Sequence, residues 1–158
     1  MKTVSTAKTQ STSPIVKGLN LLLADSYSLM ALSHHAHWNV EGPGFFALHN
    51  AFQTHYENLF TAIDDIAERV RSLDAYSLGG LRAFSQEAGL DEFPTGSVAA
   101  RDYVAGLIVA HEKTLADAVA LRDAAGAAND LETQDLAIGR ITWHQKTTWM
   151  LRSYLKSV

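Results

Sequence analysis

Four residues carry the chemistry that this sequence suggests most directly: His37, His49, Asp64 and Glu68. Imidazole nitrogens beside carboxylate oxygens suit a borderline divalent metal such as iron or zinc. Asp64 and Glu68 are four residues apart, so on a helix they share one face. His49 and Asp64 are fifteen apart, which is about 22 Å along one helix at 1.5 Å per residue. A metal–ligand bond is about 2 Å long, so one straight helix cannot bring both to the same ion. Two copies packed antiparallel about a two-fold axis can. If the axis crosses near Tyr56 to Leu59, His49 of one copy falls opposite Asp64 and Glu68 of the other, and two equivalent sites result. If these residues are ligands, spacing predicts a metal site shared between two copies.

The elements that must hold these residues read as helices. Prolines occur only at 14, 43 and 94. Ser13-Pro14 is a helix start, and Ile15, Leu19, Leu22, Ser26, Leu29 and Ser33 recur at three and four as far as Trp38 or Asn39. Val40-Glu41-Gly42-Pro43-Gly44 breaks the pattern. A second helix starts near Phe46 and carries Leu48, Phe52, Tyr56, Leu59, Ile63, Ile66, Val70 and Leu73 on one face, ending before Gly79-Gly80. The next connection is long for a loop and should hold a short helix near Leu81 to Gln86. A third long helix is expected from Ser97 to about Ala125, with Val104, Ile108, His111, Leu115, Ala118 and Arg122 as its stripe and Gly126 as its end. Asn129 to Glu132 reads as a capping box for a fourth, bearing Ala137, Ile141, His144, Thr148, Leu151 and Leu155. The expected fold is all-α: a four-helix bundle with two tight links and one long crossover containing a short extra helix, the connectivity of ferritin-like bundles.

Composition sets outer limits. The chain has 158 residues, 47% hydrophobic and 19% charged, which fits one folded domain over 14–158. Cysteine is absent, which excludes disulfides, thiolate nucleophiles and iron–sulfur clusters. A net charge of −4 argues against nucleic-acid binding through bulk electrostatics. Residues 1–13 are Ser/Thr-rich and read as a flexible arm rather than a targeting signal. The apolar stretch Leu19 to Leu32 is broken by Asn20, Asp25, Ser26 and Ser28 and reads as too short to span a bilayer. The expectation is a cytoplasmic protein without a membrane partner.

The sequence His37-Trp38-Asn39-Val40-Glu41-Gly42-Pro43, followed by Phe46, Leu48-His49, Phe52, Tyr56-Glu57, Asp64 and Ile66-Ala67-Glu68-Arg69 with Arg71, resembles the signature of the Dps family, the ferritin-like "DNA-binding proteins from starved cells". The likeness runs from the first helix to His144-Gln145-Lys146 and Trp149-Met150-Leu151-Arg152, about residues 14–156. The resemblance implies a hollow homo-dodecamer with inter-subunit ferroxidase centres. Such a cage oxidises Fe²⁺, preferentially with H₂O₂ though O₂ can serve, stores ferric mineral and protects against oxidative damage. Carried over position by position, His37 and His49 come from one subunit and Asp64 and Glu68 from its neighbour. Trp38 lies beside the site in the catalytic role of taking up oxidising equivalents. Iron is the implied metal, and zinc can take its place in crystals.

One position departs from the pattern. Four residues after His49 the family has a carboxylate, whereas this chain has Gln53, a neutral and weaker ligand. The second iron position is therefore expected to be weakly held, with His34 and His144 as further candidate ligands. Asp130, Glu132 and Asp135, at the start of the fourth helix, are candidates for an acidic iron-entry pore; acids at a helix start also simply suit its dipole. His35 and His55 read as surface or interface residues, and His111 and His144 as hydrogen-bonded core residues. The basic residues near the ends, Lys2, Lys8, Lys17 and Lys156, are few, so DNA binding is expected to be weak or absent. The alternative is a nucleoid-binding structural assembly in which ferroxidase activity is vestigial.

Overall fold

The computed structural model describes residues 13–156; the expected arm at 1–13 lies outside them except for Ser13. Five helices follow one another: α1 (Pro14–Asn39), α2 (Phe45–Ser72), α3 (Leu81–Glu87), α4 (Ala100–Ala127) and α5 (Leu131–Leu155). No strand occurs among the described residues. The chain is an all-α bundle of four long helices, with α3 in the long crossover.

The links explain the packing. Gly42, with φ of +98°, turns the chain within the five residues between α1 and α2, and these helices pack along their lengths, as do α4 and α5. α1 also packs on α4 and on α3. The crossover is tied down by Asn20 Oδ1, which accepts from the Leu78 N–H, and by Asp25, whose Oδ1 accepts from the Gly89 N–H at 2.8 Å. Asp25 is fully buried. Burial, helped by its contact with Asp117, pushes its carboxyl up to about 6 against the opposing pull of the Gly89 N–H and Lys113. The Lys113 ammonium bridges Asp25 and Asp117.

α2 ends before the glycine pair, as expected: it stops at Ser72, where Asp74 takes a left-handed conformation (φ +63°) and the Ala75 N–H closes back on the Val70 carbonyl. The ends of α4 and the cap of α5 differ from the sequence reading. α4 starts at Ala100 rather than Ser97 and runs through Gly126 to Ala127. Asn129 is the residue that turns left-handed, at φ +58°, a role its short polar side chain tolerates. The cap of α5 is consequently Asp130, whose side chain accepts from the Thr133 N–H at 3.0 Å, in place of the Asn129–Glu132 box.

The apolar core forms two clusters. One gathers Leu19, Leu22, Leu23, Ile66, Val70, Ala118, Leu121 and Ile141. The other gathers Leu29, Leu32, Phe52, Leu59, Tyr103, Leu107 and Leu151. Between them along the helices lie buried polar residues: Asp25 and Ser26 on α1, His111 and Thr114 on α4, His144 and Thr147 on α5. α1 is long and apolar enough to cross a membrane by length and composition, beyond what the shorter Leu19–Leu32 stretch suggested. Its packing on α2, α3 and α4 is that of a core helix.

Candidate metal centre on the α1–α2 face

His37 ends α1 and His49 lies in the second turn of α2, so the tight α1–α2 link brings them together. Their rings stack with centroids 3.7 Å apart. Each Nδ1 reaches the other residue's backbone carbonyl: His37 Nδ1 to His49 O at 2.8 Å, and His49 Nδ1 to His37 O at 2.9 Å. A carbonyl oxygen only accepts, so both Nδ1 atoms carry the proton. In the neutral rings both Nε2 atoms then keep a lone pair. A partner on the far ring nitrogen is how metal-binding imidazoles are commonly fixed in tautomer and orientation.

The acids are not there. α2 is an unbroken helix, so Asp64 and Glu68 lie about 22 Å and more from His49 along its axis. Among the described residues, no three His, Asp or Glu side chains of one chain stand together as a finished metal site. What joins the two half-sets is an exposed stripe. Phe46, His49, Gln53, Glu57, Phe60, Asp64 and Glu68 follow at spacings of three and four, hence on one side of α2. Phe46 and Phe60 are 80% and 71% exposed, and Trp38 at the end of α1 is 70% exposed. Large apolar groups left in water together mark an interaction surface. The sequence reading followed the buried stripe of α2 and missed this one.

Around the histidines the rings are continuous. His34 stacks on Trp38 at 5.2 Å and on Tyr56 at 4.0 Å, and the Tyr56 ring meets His37 edge-on at 5.2 Å. Burial, and then the charge of His37, lower the His34 pKa. Gln53 donates from Nε2 to Glu57 Oε1 at 2.7 Å. The amide thus keeps its carbonyl oxygen free, and it holds a carboxylate one turn further along the same stripe.

The remaining candidates fall elsewhere. His144 is wholly buried on the bundle side of α5, against His111, and does not lie on the α1–α2 face where it was considered as a compensating ligand. His55 is also buried rather than superficial. His35 is half-buried, edge-on to Phe93 and Tyr103. Asp130 is engaged inside its own chain: it accepts from Thr133 and pairs with Arg69 at 2.7 Å. Burial alone would raise its pKa, but the Thr133 hydrogen bonds and the Arg69 charge outweigh that and hold it low. Glu132 and Asp135 are exposed.

Residues 16–158 match the family model of the ferritin-like domain, and the chain belongs to that family. A low temperature-induced protein of Nostoc is 38% identical over 90% of this chain and 80% of its own length. A DNA protection during starvation protein of Brevibacillus brevis is 33% identical over 87% of this chain and 92% of its own. The structure of Vibrio cholerae Dps, described as a member of the ferritin-like diiron-carboxylate superfamily, superposes with a TM-score of 0.86 at 28% identity, covering 96% and 99% of the two chains. Within the ferritin-like family the chain is of the Dps type, a mini-ferritin whose family binds iron.

Proposed function

We propose that the chain is a ferroxidase that detoxifies and stores iron as a homo-dodecamer built from two-fold dimers. Fe²⁺ is the substrate. His37 and His49 of one subunit bind it through Nε2, and Asp64 and Glu68 of the neighbour complete the site. The reciprocal Nδ1–carbonyl lock of the two histidines carries this reading. It leaves two lone pairs at the α1–α2 end of the bundle, where the same chain has no matching acids nearby. The exposed Phe46–Glu68 stripe supplies the surface on which a second copy brings them.

The reaction is 2 Fe²⁺ + H₂O₂ + 2 H⁺ giving 2 Fe³⁺ + 2 H₂O. Taking both electrons from iron avoids the one-electron reduction that releases hydroxyl radical. The protein holds the ions and the oxidant together and supplies carboxylate charge that favours Fe³⁺. In this reading Trp38, whose ring stacks on His34, takes up stray oxidising equivalents. Glu132 and Asp135 suit an iron entrance better than Asp130, which is already paired. We take DNA binding as weak or absent, given the sparse basic residues and the net charge of −4, and the location as cytoplasmic, in keeping with the Dps-like fold.

The test is Fe²⁺ oxidation by H₂O₂ with product and assembly followed together. The reading expects two irons oxidised per peroxide, ferric mineral inside a particle of twelve chains, and loss of both rate and mineral in His37→Ala/His49→Ala. A monomer, or a double variant with unchanged rate, contradicts it.

A further inference from the structure

One acid on the exposed stripe of α2 has no part in the proposed ligand set. Glu57 stands eight residues after His49 and seven before Asp64, about 12 Å and about 10 Å away along the helix. It is therefore remote from both half-sets of its own chain. What it touches is Gln53, whose Nε2 donates to Glu57 Oε1 at 2.7 Å. That is the short end of the range for a nitrogen donor, as an ionised acceptor makes it. A carboxylate only accepts, so the amide must offer Glu57 its nitrogen. Its oxygen, the one atom of Gln53 that can hold a cation, is thereby turned the other way.

Side chains four apart on a helix commonly pair to modest local benefit. The place of this pair gives it more to do. In the antiparallel pairing that sets His49 opposite Glu68 of the neighbour, each step forward along one α2 is a step back along the other. Gln53 then falls opposite Asp64 of the neighbour, and Glu57 opposite Phe60 of the neighbour. The amide oxygen thus meets a carboxylate across the interface. Phe60, 71% exposed in the single chain, comes to lie over the Gln53–Glu57 bond. Excluding water strengthens such a bond, and hydrogen bonds in series polarise one another. An amide that donates to an anion carries more negative charge on its oxygen, and its orientation is fixed before a metal arrives.

We infer that Glu57 is a positioning residue for the second iron: it aims the Gln53 oxygen and lends it negative charge, and so supplies part of what the missing carboxylate would. The inference rests on the shared-site reading. Glu57 does not touch the metal; it acts through the amide, as outer partners of metal ligands do. A glutamate at position 53 has no N–H to give and needs no such help. The contribution of Glu57 is therefore tied to Gln53 and is not a general effect of negative charge.

The experiment is calorimetric titration of chelator-treated full-length protein with Co²⁺, a divalent probe used in place of Fe²⁺. Two classes of site are expected. Glu57→Ala should weaken the weaker class by about tenfold and leave the stronger one, at His37 and His49, little changed; the stronger class also reports that the fold is intact. In a Gln53→Glu background the same change should have little effect, so the two positions are coupled. A single class of site, or a weaker class indifferent to Glu57→Ala, overturns the inference. So does an equal loss in both backgrounds, which assigns Glu57 to bulk charge alone. Protein that binds no Co²⁺, or binds it equally well as His37→Ala/His49→Ala, sinks the shared-site reading and this inference with it. The Glu57 outcomes sink the inference alone.

Discussion

The two groups of imidazoles in this chain invite comparison. At the α1–α2 end, His37 and His49 satisfy each other's Nδ1 through backbone carbonyls and turn their Nε2 lone pairs toward an exposed face. In the bundle, His111 and His144 spend their Nδ1 atoms on each other, and three ring nitrogens of the cluster they form with His55 have no partner in the protein. Burial pushes His55 down to about 4 and His144 down to about 3, and His111 falls well below its ordinary value for the same reason, aided by its charged neighbours. The first pair is prepared by what holds it. The second is defined by what it lacks. A histidine is thus read by where its second nitrogen goes and not by its number of neighbours.

The largest effect that would break this contrast is at the surface. Removing both His37 and His49 should lower the initial rate of Fe²⁺ oxidation by roughly a hundredfold or more, since loss even of outer partners of metal ligands costs 10–100-fold. The overall fold should persist, as followed by circular dichroism. A comparable loss in Glu68→Ala would join the two ends of α2 in one function.

Next is the neutral amide. Gln53→Glu places a second carboxylate beside Glu57 on the exposed stripe. Calorimetric titration should show the weaker of two iron sites tightening by about tenfold, as an added anionic oxygen favours a hard cation. Two equal tight sites in the unaltered protein would instead remove Gln53 as the cause of weak binding.

The core makes a gentler prediction through pH. Unfolded histidine titrates near 6.5, and the buried three have lower values when folded. The unfolded chain therefore binds more protons below pH 6.5, and stability falls as pH drops from there toward 4. Metal-free protein should show its Tm declining over that window. His111→Leu/His144→Leu should flatten the decline, and an equally steep decline in that variant would assign it to carboxylates instead.

The smallest effect concerns the cap of α5. Asp130→Asn keeps an oxygen for Thr133 but loses the Arg69 pair, so thermal unfolding should report a loss of about 1 kcal/mol or less. Iron uptake should be unchanged, because Asp130 is paired within its own chain; a marked fall in uptake would return it to the entrance.

Much of this was legible in the residues. Spacing at three and four located all four long helices, because amphipathic periodicity is a local signal, and the length of the connection between the second and third of them announced α3 near Leu81 to Gln86. The helix ends were harder. Asp74 and Asn129 turn left-handed, while Gly126, a nominal breaker, stays helical because the turn that follows it does the breaking. If His49 and Asp64 serve one ion, their separation along one helix already called for a second copy. The His37–His49 carbonyl exchange was hidden, since it depends on how α1 and α2 meet. The burial of His55 was legible but passed over: it stands three residues after Phe52 and four before Leu59, in step with the buried residues of α2, whereas the expected stripe ran through Tyr56, and its imidazole companions lie on two other helices.

The central claim is that one chain supplies imidazoles and its neighbour carboxylates. Subunit mixing tests it most directly. His37→Ala/His49→Ala and Asp64→Ala/Glu68→Ala should each be inactive alone. Dissociated, mixed one to one and reassembled, half of the two-fold dimers pair the two variants. Each such dimer rebuilds one intact site of two, so Fe²⁺ oxidation should return to about one quarter of the unaltered rate. Mixed particles that remain as inactive as their parents would contradict the shared site.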